Sequence, residues 1–135
     1  MFLATTSHTD FWDFNEDLIF LGNWCKYKNQ DKLNRINYKI IDYPWENYSK
    51  KEVAFQECAN TYNKILPLIS NFLNDVNKVS KSKLYWEIII GDWMWRYIHI
   101  IYDRYISLKI ALNKYDNIST IVLANEQFRY VKDHE

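Results

Sequence analysis

Short apolar runs occupy the first third of this chain, and long helical patterns occupy the rest. Leu18-Ile-Phe-Leu21 is a continuous apolar run that stops at Gly22, as in a strand covered on both faces of a sheet. Ile36–Tyr43 is rich in β-branched and aromatic residues and predicts a second strand. Pro44 ends it, since proline has no N–H to give a ladder. Residues 2–6 read as an extended lead-in, residues 22–35 as a polar loop without a clear helix cap, and Ile118–Leu123 as a third strand.

Between the strands lie two helical patterns. Ser49-Lys-Lys-Glu52 matches a capping box and predicts a helix from Lys50. Val53, Cys58, Tyr62, Ile65, Leu66, Ile69, Phe72, Leu73 and Val76 follow at helical spacing, and Pro67 within them predicts a kink. Ser80 and Ser82 are candidate caps for a second helix from about Lys83 to Leu112. That helix is apolar nearly all round, the pattern of a helix packed deep in a large structure. Glu87, Asp92, Arg96, His99, Asp103 and Arg104 interrupt every window of membrane-spanning length, so no transmembrane segment is expected. The order β-β-α-α-β predicts a single α/β domain over residues 1–135, an open sheet with two long helices. Only two glycines and two prolines occur, few for a complete α/β enzyme with glycine-lined ligand loops. Three strands beside two long helices form a thin layer, so the chain reads as part of something larger.

Composition narrows the functional classes. Hydrophobic residues at 48% and charged residues at 25% exclude a disordered chain. Aromatics reach 18%, more than a small core requires. They point either to a lined cleft or interface, or to the codon usage of an AT-rich genome. Net charge is zero and no basic block is present, which argues against nucleic-acid binding. The N-terminus has no charged segment followed by an apolar one, so a cytoplasmic location and reduced cysteines are expected. Cys25 and Cys58 form no CxxC and have no His pair nearby, so no metal site is expected.

Three segments carry candidate chemistry. Gly22-Asn-Trp-Cys25 follows the first apolar run, at the strand end where open α/β sheets gather ligands. It is neither a GxGxxG nor a P-loop, so no cofactor follows from it, and Cys25 reads better as a structural thiol than as a nucleophile. Asp42-Tyr-Pro-Trp-Glu46 reads either as a facing loop or as a capped turn with aromatics packed over the helix start. Asp92, Arg96, His99 and Asp103 fall in one narrow sector of the second helix at about 100° per residue, so Asp92–Arg96 and His99–Asp103 can pair. One reading is a cleft wall, with Arg96 binding a phosphate or carboxylate and His99 a weak candidate for the catalytic acid or base. The other is a charged seam facing solvent or another domain. Gly91 inside this helix costs roughly 1 kcal/mol relative to alanine, which points to a close approach by a neighbour or ligand.

Phe2-Leu-Ala-Thr-Thr6, Phe20-Leu-Gly-Asn-Trp-Cys25, Tyr43-Pro-Trp45, Tyr85-Trp-Glu-Ile-Ile-Ile-Gly-Asp-Trp93 and Tyr102-Asp-Arg-Tyr105 occur in an order that resembles the N-terminal region of one transferase family. That family is associated with bacterial O-antigen and surface-carbohydrate biosynthesis. Asp92 stands where its members commonly have proline. The resemblance implies a partial Rossmann-like sheet and an N-terminal fragment of a two-Rossmann-domain, glycosyltransferase-like protein, inactive without its C-terminal domain. It also implies a nucleotide-sugar or phosphorylated carbohydrate as substrate. The residues themselves offer Gly22, Asn23, Trp24, Asp92, Arg96 and His99 as the substrate-binding wall. The alternative is a non-catalytic α/β module that binds a partner chain through exposed aromatics.

Overall fold

The computed structural model describes residues 1–122. The chain divides into two compact units. Met1–Asp42 joins the chain from Ile110 onward in the first, and Tyr43–Lys109 forms the second.

The first unit is built on three parallel strands, β1 (Phe2–Ala4), β2 (Leu18–Phe20) and β3 (Tyr38–Ile40), in that spatial order. Phe2 stands opposite Leu18, and Leu18 opposite Tyr38. The presumed lead-in is therefore itself a strand, buried at all three positions. Parallel pairing requires a crossover. Residues 5–17 and 21–37 supply it with 3₁₀ turns at Thr9–Phe11 and Asn23–Lys26 and the short helix α1 (Gln30–Leu33). Helical turns thus occupy the segment whose polar sequence reads as loop.

Ser119 pairs with Phe2 on the other side of β1, also parallel. Leu3 N–H donates to Ser119 O at 2.8 Å and Ser119 N–H to Met1 O at 3.1 Å. Among the described residues the strand expected over Ile118–Leu123 is this single bridge, and Leu123 lies outside them. Phe2, Leu3, Leu18, Ile19 and Phe20 fill the core with Trp12, Leu33, Ile41 and Ala111. β1 and β2, apolar and buried at every position, suit strands covered on both faces, whereas β3 exposes Lys39.

The second unit is a helical hairpin formed by α2 (Tyr48–Asn77) and α3 (Lys83–Lys114), whose last residues, from Ile110, belong to the first unit. α2 starts two residues before the expected Lys50. Its cap is Asn47, whose side chain accepts from Ser49 N–H at 2.9 Å and Lys50 N–H at 3.4 Å. Ser49 turns its own hydroxyl onto the same Asn47 oxygen at 2.6 Å. The helix runs unbroken through Pro67. Lys78 closes it in the left-handed conformation at φ 54°. Asn74 then organises the turn, bonding Lys81 through both side-chain atoms and accepting the Trp86 indole N–H at 2.9 Å. Of the two candidate caps, Ser82 does the work, accepting Tyr85 N–H at 3.2 Å.

Within the hairpin, Trp95 packs edge-on against Phe55 and Tyr62, with ring centroids 5.4 and 5.6 Å away. Gly91 marks the close approach of the two helices. A Cβ there would sit 2.7 Å from the Tyr62 hydroxyl, so a helix neighbour explains the glycine. The expectation of a deeply enclosed α3 is not met among the described residues. Ile88 is 78% exposed and Trp93 60%. One neighbouring helix cannot cover a helix that is apolar nearly all round.

Candidate functional site

The six residues singled out from the sequence fall in both units. Gly22, Asn23 and Trp24 follow β2 in the first. Gly22 is buried and extended, with φ −178°, and a side chain there would collide with the Trp24 ring. Trp24 also packs against the core cluster, so Asn23 alone of the three is exposed. Cys25 is fully buried, with its thiol donated to Ala4 O at 3.3 Å, which is a structural arrangement.

Asp92, Arg96 and His99 lie on α3 in the second unit. Asp92 and Arg96 pair at 3.0 Å, with side chains 79% and 74% exposed. The second expected pair does not form. His99 Nδ1 lies 2.8 Å from Trp95 O, and Asp103 binds Trp45 and Arg104 instead. A carbonyl oxygen can only accept, so Nδ1 is the donor, which leaves Nε2 free to face a ligand.

His99 lines a pocket of about 340 Å³ with Tyr43, Trp45, Lys51, Phe55, Cys58 and Tyr102. Its aromatic wall is tied into a hydrogen-bond network. Trp45 stacks on Tyr102 at 6.1 Å and an interplanar angle of 29°. The Trp45 indole N–H donates to Asp103 Oδ1 at 2.6 Å, and Arg104 Nη1 donates to Asp103 Oδ2 at 2.8 Å. Tyr102 donates its hydroxyl to Glu57 Oε2 at 2.5 Å. Burial, then this bond, then the Glu57 charge push the Tyr102 phenol up to about 12. Burial, and secondarily Glu57, push the Cys58 thiol up as well, so it stays protonated at neutral pH and is a poor nucleophile.

Sequence reading singled out His99 and the Tyr43–Trp45 turn but not Lys51, Phe55 or Tyr102 as their neighbours. The readable signal was the aromatic excess, which names no partners. The Asp42–Glu46 segment leads into the helix capped by Asn47, and its Trp45 packs on Tyr102 of α3. A second groove of about 390 Å³ is lined by Ile65, Ile69, Trp93, Tyr97, Ile101 and Tyr105 among others, and no charged residue lines it. Among the described residues no three His, Cys, Asp or Glu side chains are placed to hold a metal ion.

The model of the LIC12162 family transferases matches residues 1–135. The chain belongs to that family. No curated protein matches the chain, and no solved structure does either. The pocket at His99 combines flat aromatic walls with the Lys51 ammonium and the His99 imidazole. Among the described residues no helix is long and apolar enough to cross a membrane.

Proposed function

We propose that this transferase is of the glycosyl type and acts in the cytoplasm in bacterial surface-carbohydrate biosynthesis, O-antigen included. The observation that carries this reading is the aromatic pocket around Trp45, Tyr102, Phe55 and His99. A pyranose has flat C–H faces that stack on rigid aromatic walls, and hydroxyl edges that need a few well-placed polar groups. His99 Nε2 takes the proton from an acceptor hydroxyl as that oxygen attacks the anomeric carbon of a nucleotide-sugar and the nucleotide leaves. Arg96 keeps guanidinium donors beyond the Nε bonded to Asp92, and these suit a donor phosphate.

A Rossmann-like sheet belongs to the same reading. The order β3-β2-β1 followed by Ser119 reverses direction at β1, as at the switch point where open α/β sheets bind ligands. Within the first unit, Gly22, Asn23 and Trp24 follow the carboxyl end of β2, the strand end where such sheets bind ligands. An N-terminal role in a longer two-domain protein belongs to it as well.

Saturation-transfer NMR with UDP-N-acetylglucosamine tests the reading. Sugar-ring protons should receive saturation, and Trp45→Ala should remove most of it while the circular dichroism is unchanged. Signal confined to the uridine, or insensitivity to Trp45→Ala, would sink it. The non-catalytic alternative draws on the exposed apolar residues of α3 and predicts no sugar signal at all.

A further inference from the structure

We infer that the Trp45–Tyr102 pocket selects a saccharide bearing an acidic group, a carboxylate or a phosphate, over a neutral one. The inference rests on the carbohydrate reading above and adds the charge of the ligand. Its basis is the distribution of charge around one cavity. Lys51 lines the pocket, and no carboxylate does. The two acids bonded to the aromatic wall, Glu57 and Asp103, do not line the pocket. Glu57 accepts the Tyr102 hydroxyl at 2.5 Å, and Asp103 accepts both the Trp45 indole at 2.6 Å and Arg104 at 2.8 Å. Arg104 offsets the charge of Asp103. Lys51 enters none of the ion pairs recorded among the described residues.

The setting of Lys51 on α2 strengthens this. It lies in the first turn, where the helix dipole favours negative charge. The backbone donors there are already engaged. Asn47 takes Ser49 N–H and Lys50 N–H with its side chain and Lys51 N–H with its carbonyl, at 3.2 Å for the last. An anion in this pocket therefore meets the Lys51 ammonium rather than a row of backbone N–H groups. An ammonium is a compact charge with no demand for bidentate geometry, so it suits a sugar carboxylate and a sugar phosphate alike. The stacking wall supplies the other half of recognition, and an anion without a ring would not use it.

Titration of the chain with glucuronate, glucose 6-phosphate, glucose and inorganic phosphate, followed by NMR shifts and calorimetry, tests the inference and separates its two anion sources. At least one acidic sugar should bind about tenfold tighter than glucose, the scale of one charge-assisted contact. Lys51→Met should level the two, and Lys51→Arg should restore the difference. Inorganic phosphate should bind far more weakly than glucose 6-phosphate. Equal binding of glucose and both acidic sugars would overturn the inference and leave the carbohydrate reading standing. So would inorganic phosphate binding as tightly as glucose 6-phosphate. Binding of none of the three sugars would remove the carbohydrate reading and the inference with it.

Discussion

Tyr102 joins packing and chemistry in a single side chain. Its ring is half of the stacking wall, and its hydroxyl is donated to Glu57 at 2.5 Å. The phenol moves from 10.0 to about 12, with burial as the first cause and Glu57 as the second. The folded state therefore holds this proton more tightly than the unfolded chain. The associated stability is whole below about pH 10 and is lost as pH rises through 12. In an alkaline titration followed by tyrosinate absorbance, Tyr102→Phe should delete a late-titrating component. Glu57→Gln should move that component down only partway, because burial remains. Tyr62 also titrates late, through burial and then Glu87, so the Phe variant isolates Tyr102. An unchanged late component in Tyr102→Phe would contradict this placement. None of it was legible from the sequence, where Glu57 and Tyr102 are separated by 45 positions.

At the scale of elements, the local code was legible in kind and shifted in register. The helix expected from Lys50 starts at Tyr48, because Asn47 competes better for the orphan N–H groups than the Ser49 capping box does. Asn47→Ala should lower stability by ~1 kcal/mol in urea unfolding, and Ser49→Ala by clearly less. Equal losses would return the cap to Ser49. β1 escaped notice as a strand because three residues give no periodicity to read, and it pairs only because β2 and Ser119 flank it. α3 was legible almost to its ends, since its pattern persists over 32 residues.

For the molecule as a whole, the consequence lies in the surface of α3. Ile88, Ile89, Trp93, Tyr97, Ile100, Ile101 and Tyr105 are all half or more exposed. Exposed apolar residues in such number exceed what an isolated surface carries as background. The native 135-residue chain should bind a hydrophobic dye such as anilinonaphthalene sulfonate. Ile88→Lys together with Trp93→Lys should cut that binding severalfold and shift unfolding by no more than about 0.5 kcal/mol per substitution. A loss of several kcal/mol would show instead that these side chains are packed.

By itself, the sequence determined where the two long helices and the strands β2 and β3 lie, and that the chain is α/β. It also marked the aromatic and charged residues from which a site could be drawn. These properties follow from local periodicity, proline and glycine placement and capping, which act within a few positions. Tertiary structure alone decided that Trp24 packs inward across Gly22, that His99 bonds Trp95 rather than Asp103, and that Lys51, Phe55 and Tyr102 join Trp45 and His99 around one pocket. The pocket depends on which faces the two antiparallel helices present to each other, and the inward turn of Trp24 on packing against the core of the first unit. That choice is made by side-chain packing across separations no sequence pattern records.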